Sequence, residues 1–241
     1  MTYSLYALHG FLGLTSDWQS FQSIRQHCKE FFPIDIFQKG FTCSSLEAWA
    51  QSLNASVAKD NKPSILIGYS LGARLGMHAV IAEPTLWKGA IFISGNPGLS
   101  QENEKQRRLE VDAIWAKRFR EDPWEELMEK WNHLDVFAGF KCTLERREEQ
   151  YTRAQLAESL IHWSLGTQKN LQSKLQELKM PILWLVGEKD VKYTQLARNL
   201  VFKNSHSQIR VIPQAAHRVP WENGRAFEDS VINFLENISK G

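Results

Sequence analysis

Between Pro63 and Gly76 an apolar run, Ile65-Leu66-Ile67, is cut by Gly68, and Ser70 follows two residues later. Gly72 then opens a helical pattern whose apolar positions include Leu75, Ala79, Val80 and Ile81. A buried strand that passes through G-x-S-x-G straight into a helix requires a strained turn with the serine at its tip. The glycines remove Cβ atoms where such a turn brings backbone against backbone. Ser70 would then present its hydroxyl beside a helix N-terminus, which favours developing negative charge. Taken alone, the same pattern also fits a tight βα turn with an idle serine.

Other stretches narrow the choice. Tyr3–Leu8 is a short β-prone run that empties into His9-Gly10-Phe11-Leu12-Gly13. H-G-x-x-G after an early strand matches the loop that supplies one oxyanion-hole N–H in α/β-hydrolases. Phe11 would be that donor and Leu71 the other, two fixed N–H groups aimed at one oxygen. His9 either packs and caps the glycine turn or reaches substrate. Late in the chain, Pro181–Val186 runs into Gly187-Glu188-Lys189-Asp190, and Gln208–Ile212 runs into Pro213-Gln214-Ala215-Ala216-His217. Asp190 and His217 therefore each follow a strand, at the sheet edge where ligands bind in open α/β folds. The order Ser70, Asp190, His217 is that of α/β-hydrolase triads. His217 would take the Ser70 proton while Asp190 fixes the imidazole tautomer.

The intervening elements agree. Trp18–Cys28 has helical spacing, Phe31–Phe37 reads as a strand, and Leu46–Val57 as an amphipathic helix with Trp49 and Leu53 on its apolar side. Gly89–Ser94 is the next strand, and Trp221–Ile238 closes the chain as an amphipathic helix. Strands alternating with helices predict a mostly parallel sheet with helices on both faces. The elbow comes so early that the usual leading antiparallel hairpin is absent or vestigial. From residue 96 to 178 the alternation stops: the segment is tryptophan-rich and helix-prone, with 13 Lys+Arg against 15 Asp+Glu. That near-balance of charge describes solvated helix faces and not a basic patch. The expected organisation is an α/β-hydrolase core, residues 1–95 and 179–241, with a helical cap, residues 96–178, lying over Ser70.

Composition excludes several classes. A net charge of +2 on 241 residues argues against nucleic-acid binding. Cys28, Cys43 and Cys142 are widely spaced, without a C-x-x-C pair, which predicts neither a disulfide framework nor a zinc site. There is no signal-like N-terminal segment and no 18-residue apolar run, so a cytoplasmic protein without membrane contact is expected. The sequence leaves the oligomeric state open, with a monomer as the default expectation. No dinucleotide fingerprint, phosphate loop or metal-ligand cluster is visible, so no cofactor is expected.

Arg74 is four residues past Ser70, on roughly the same helix face one turn on. An arginine beside a buried nucleophile needs an anionic partner, either a protein carboxylate or a substrate carboxylate. In the 96–178 segment, Arg107-Arg108 and Arg118-Phe119-Arg120 could turn guanidinium groups toward the same place.

Gly68–Arg74, Asn96-Pro97-Gly98-Leu99, the run from Arg107-Arg108 to Trp115-Ala116-Lys117-Arg118-Phe119-Arg120, and Trp131 with Val136-Phe137-Ala138 resemble one family. It is the 2-succinyl-6-hydroxy-2,4-cyclohexadiene-1-carboxylate synthases of menaquinone biosynthesis, and the similarity spans nearly the whole chain. The resemblance implies a capped α/β-hydrolase fold working as a lyase. Its substrate carries several carboxylates and loses pyruvate after a proton is removed α to a carbonyl. It further implies that Ser70, Asp190 and His217 abstract that proton and that Phe11 and Leu71 hold the enolate-like oxygen. Arg74 and Arg108 match the family's carboxylate-binding arginines, Tyr69 and Trp131 its pocket lining together with His9, and Arg147 falls near a further cap arginine.

Two stretches depart from the family pattern. Asp35-Ile36-Phe37-Gln38-Lys39-Gly40 lacks the Pro and His of the usual Asp-x-Pro-Gly-His-Gly loop. After the catalytic His the family commonly has a second His followed by Arg; here His217 is followed by Arg218-Val219-Pro220-Trp221. The alternatives are a serine ester or thioester hydrolase using Ser70 as a nucleophile, and a non-catalytic binding protein of the same fold.

Overall fold

The computed structural model describes residues 3–39 and 44–239. Gly40 of the Asp35–Gly40 stretch and Cys43 lie outside the described residues.

Six strands form one sheet: β1 (Ser4–Leu8), β2 (Glu30–Ile34), β3 (Ser64–Tyr69), β4 (Trp87–Ile93), β5 (Ile182–Gly187) and β6 (Gln208–Ile212). Their order across the sheet is β2-β1-β3-β4-β5-β6, and every pairing is parallel. Strands covered on both faces must be apolar throughout, which is why Ile65-Leu66-Ile67 and Ile182–Val186 are continuous runs rather than alternating ones. The order makes β1 and β3 neighbours while the chain leaves them in opposite directions across the sheet. The loops after these two strands therefore diverge and open a crevice at their carboxyl ends. Ser70 and the His9–Gly13 loop meet there.

One face of the sheet is covered by α2 (Leu46–Val57), α3 (Leu71–Ala82) and the short α7 (Gln172–Gln176), around Trp49, Trp87, Phe92 and Trp184. Ser45 caps α2 by accepting from the Ala48 N–H at 3.0 Å, which satisfies one of its free amino-terminal donors. The opposite face is covered by α1 (Gln22–Gln26) and α10 (Gly224–Ser239), with Trp18, Phe21, Phe227 and Phe234 at the contact. Between β4 and β5 the chain is helical among the described residues: α4 (Glu102–Glu121), α5 (Trp124–Asn132) and α6 (Arg153–His162) precede α7. These helices share their own apolar cluster of Trp115, Phe119, Leu127, Leu156 and Leu160, joined to the sheet side through Leu12 and Phe11.

Three expected elements differ at their ends. The strand expected to Phe37 stops at Ile34, because the Asp35 carboxylate accepts the Phe37 N–H at 2.9 Å and turns the chain. Trp18–Cys28 is two pieces, a 3-10 turn at Thr15–Ser20 and α1, separated at Phe21 with φ −90°, ψ 64°. The closing helix also divides, into α9 (Val219–Glu222) and α10, at Asn223 with φ −144°, ψ 73°. The Asn223 side chain then accepts the Ala226 N–H and starts α10 afresh.

Candidate active site

Ser70 has φ 52°, ψ −110°, a left-sided backbone that places its side chain at the tip of the β3–α3 turn. Gly68 and Gly72 make that turn possible. A Cβ on Gly72 would lie 2.4 Å from the carbonyl oxygens of both Leu8 and His9, and one on Gly68 would lie 2.6 Å from the Gly72 carbonyl. The same closeness brings the β1 loop beside the serine.

Ser70 Oγ lies 3.0 Å from His217 Nε2, and His217 Nδ1 lies 2.7 Å from Asp190 Oδ2. Asp190 and His217 are both buried. Asp190 is also the N-cap of α8 (Val191–Arg198), accepting the Tyr193 N–H at 3.3 Å through its other oxygen. The His217 loop is tied down by Ser94, whose hydroxyl donates to the His217 carbonyl at 2.8 Å. With Nδ1–H donated to the carboxylate, Nε2 is the acceptor of the Ser70 proton. Neither Phe11 N–H nor Leu71 N–H is taken by another backbone group among the described residues.

The serine opens into a cavity of about 510 Å³, between the sheet edge and the helices inserted after β4. Phe11, Tyr69, Arg74, Arg108, Trp131 and Tyr193 are on its wall. Trp131 packs on Phe11 at 4.9 Å and on Trp115 at 5.0 Å between ring centroids. Burial pushes the Tyr69 hydroxyl up, so it stays protonated.

Arg74 settles which kind of partner the chain itself provides. Its Nε donates to Gln168 Oε1 and one Nη to the Trp163 carbonyl, each at 2.7 Å. Both acceptors are neutral, and among the described residues no carboxylate pairs with it. Burial first, then the like charge of Arg108, push the guanidinium down to about 10, still charged at neutral pH. Arg108 differs: it is forked onto Asp112 at 2.8 Å through Nε and Nη2, and Asp112 is buried and also takes the Ser164 hydroxyl at 2.7 Å. The pair stands on the cavity wall, with Arg108 half-exposed.

Two expected binding residues lie elsewhere. His9 is 1 % exposed and does not reach the cavity; its ring sits 2.9 Å from the Gly10 carbonyl and accepts the Ile36 N–H. It braces the H-G-x-x-G loop from beneath. Arg147 is exposed on the surface, whereas its neighbour Arg146 turns inward and makes a two-bond fork with Asp17 at 2.9 and 2.7 Å. An alternation of in and out at this extended stretch makes a one-residue misassignment enough to exchange the two.

Several site residues escaped sequence reasoning. Tyr193 stands edge-on to the His217 ring at 4.7 Å, and burial raises its hydroxyl. The only signal was its place three residues after Asp190, in the first turn of a helix the pattern did not reveal. Ser94 and Gln168 were equally silent, because their roles are hydrogen bonds across the chain: Gln168 donates to the Asn96 carbonyl at 3.1 Å while holding Arg74.

Residues 6–230 match the alpha/beta hydrolase family. The 2-succinyl-6-hydroxy-2,4-cyclohexadiene-1-carboxylate synthase of Serratia proteamaculans is 32% identical over 243 residues, covering 95% of this chain and 92% of that protein. The enzyme of the same name from Salmonella heidelberg is 31% identical, covering 96% and 93%. Among solved structures, MenH from S. aureus superimposes with a TM-score of 0.85 at 22% identity, covering 98% of this chain and 94% of that one. A thermophilic esterase from Thermogutta terrifontis superimposes at 0.70 with 19% identity, covering 99% and 90%. At these identities both structures speak to the fold alone.

Proposed function

The chain belongs to the alpha/beta hydrolase family and, within it, to the 2-succinyl-6-hydroxy-2,4-cyclohexadiene-1-carboxylate synthases, and on that premise we propose how its residues divide the work. The relatives of that name support reading it as a synthase of the same kind, and in our reading it is a lyase of menaquinone biosynthesis that removes a proton from a polycarboxylate cyclohexene intermediate and eliminates pyruvate. His217 takes the Ser70 proton, and the Ser70 oxygen takes the hydrogen on the carbon α to the substrate ketone. The electron pair of that C–H bond moves onto the ketone oxygen, and the Phe11 and Leu71 N–H groups hold the resulting enolate. Collapse of the enolate breaks the C–O bond to the enolpyruvyl group. That group leaves as the enolate of pyruvate and regains a proton from the His217–Ser70 relay. Asp190 keeps the imidazole in the tautomer this requires.

The observation that carries this reading is Arg74. A half-buried guanidinium on the cavity wall with only neutral protein acceptors supports an anionic substrate over the neutral ester of a hydrolase. Arg108, Tyr69 and Trp131 complete the proposed binding wall. We assign residues 1–95 and 179–241 to the core and 96–178 to a cap; the separate apolar cluster of α4 to α6 supports the division. No helix among the described residues is long and apolar enough to cross a membrane, which fits the proposed cytoplasmic setting.

The test is pyruvate release from the pathway intermediate, with p-nitrophenyl ester hydrolysis run alongside. The expected result is fast pyruvate release with negligible ester turnover. Ser70→Ala should lower release about 10³-fold, and Arg74→Ala about 10–100-fold, the worth of a charged hydrogen bond. Ester turnover without pyruvate release would transfer the assignment to the hydrolase alternative.

A further inference from the structure

The proposed reaction gives no task to Tyr193, although its side chain lines the Ser70 cavity together with His217, Arg74 and Arg108. Two contacts fix it there. The Tyr193 N–H is held by the Asp190 cap at 3.3 Å, in the first turn of α8. The ring stands edge-on to the His217 imidazole, 4.7 Å between centroids. Tyr193 is half-buried, with the cavity on its open side.

The hydroxyl is unclaimed as a donor. It donates to no protein acceptor among the described residues, and it is not sealed from solvent. The Asp190 carboxylate acts on it, but the two Asp190 oxygens are engaged by the His217 ring and the Tyr193 N–H. Asn96, buried just past β4, acts in the opposite sense. Its Oδ1 accepts the Gly98 N–H at 2.9 Å, so its amide NH2 is the end left to donate. A hydrogen bond that favours the ionised phenol is one given to its oxygen. The hydroxyl hydrogen is thereby left for whatever fills the cavity. Burial is the main cause that raises this hydroxyl, so it stays protonated and able to donate at neutral pH.

The two arginines supply the charge beside it. Arg74 spends Nε and Nη2 on Gln168 and the Trp163 carbonyl, and Arg108 spends Nε and Nη2 on Asp112. Each keeps Nη1 without a protein partner among the described residues, and neither Nη1 is sealed from solvent. Both charges act on the Tyr193 hydroxyl, Arg108 more than Arg74. Asp112 balances one guanidinium, so one positive charge remains to attract an anion. A carboxylate drawn there has about four acceptor positions on its two oxygens, and the Tyr193 hydroxyl is a donor with no other use.

We propose that Tyr193 is a substrate-binding residue of the Ser70 cavity, its hydroxyl donating to the carboxylate that Arg74 and Arg108 attract. On the reading of a polycarboxylate substrate, on which this proposal rests, the cavity offers one neutral donor beside two cations. The same side chain packs on His217, so its grip on the carboxylate is fixed relative to the proton relay.

Tyr193→Phe keeps the ring against His217 and removes only the hydroxyl. The intact protein and this variant are compared in pyruvate release from the pathway intermediate. They are also compared in succinate binding, by ligand-observed NMR, at the site that Arg74→Ala weakens. KM and the Kd for succinate should each rise about ten-fold, the worth of one hydrogen bond to a charged acceptor, with kcat and the urea midpoint little changed. Unchanged KM and unchanged succinate binding would overturn the proposal and leave Tyr193 a packing residue. A fall in kcat with KM unchanged would overturn it too, because the hydroxyl would then act in proton transfer and not in binding. If the wild type binds succinate but releases no pyruvate, the functional reading falls and the succinate titration alone decides the proposal. A wild type that neither binds succinate nor releases pyruvate would overturn both.

Discussion

At Ser70 the backbone conformation is itself part of the chemistry. A non-glycine residue at φ 52°, ψ −110° stores on the order of 1–3 kcal/mol, and the close approach of Gly72 to the Leu8 and His9 carbonyls sustains it. Gly72→Ala should therefore destabilise the fold as well as the site, because backbone and not a flexible side chain occupies the space. A lowered denaturant midpoint would register this; an unchanged midpoint with an unchanged rate would refute the packing argument. Asp190→Asn should leave the midpoint close to wild type and lower the rate of pyruvate release about 10³-fold or more, by stabilising the wrong imidazole tautomer. The contrast between the two variants separates strain from chemistry. The serine, its partners and Arg74 were legible in the sequence because each follows a strand or sits one helical turn from one that does. Tyr193 and Gln168 were not, since nothing local marks a side chain whose partner is tens of residues away.

On α3, His78 is 5 % exposed, its Nε2 has no partner, and its Nδ1 lies 3.8 Å from Glu47. Burial is the main cause that pushes its ring down to about 4; Arg74, Lys174 and Lys169 push the same way against Glu47. Below the ordinary histidine pKa of about 6.5, the unfolded chain binds a proton that the folded protein refuses. Stability should therefore fall as pH drops from about 6.5 toward 4 and level off below that. His78→Phe should flatten this part of the curve, as followed by urea midpoints across the range; a slope that persists in the variant would place its origin elsewhere. The same helix illustrates how far elements could be read. Strand cores were clear from their unbroken apolar runs, whereas strand and helix ends were set by single side chains such as Asp35 and Asn223 that turn the chain. The α4 helix was legible only as helix-prone sequence, because its packing partners on α6 lie far along the chain and neither face is uniformly apolar.

Across the whole molecule, one cation ties the elbow helix to the chain inserted after β4. Arg74 rises from the elbow helix and binds the Trp163 carbonyl and Gln168, so the chain inserted after β4 is tied beside Ser70 by a residue that also lines the Ser70 cavity. The fold is shared with an esterase, and the architecture alone does not choose between hydrolysis and elimination. The choice rests on what the relay does with its proton: the account requires Ser70 to act as a base toward carbon and not as a nucleophile toward a carbonyl. The most direct measurement is pyruvate release under kcat/KM conditions from the intermediate deuterated at the carbon α to its ketone, with intact-protein mass spectrometry of the reacting enzyme. The account predicts slower release from the deuterated substrate and no mass added to Ser70. Equal rates for the two substrates, with a covalent adduct on Ser70, would contradict it.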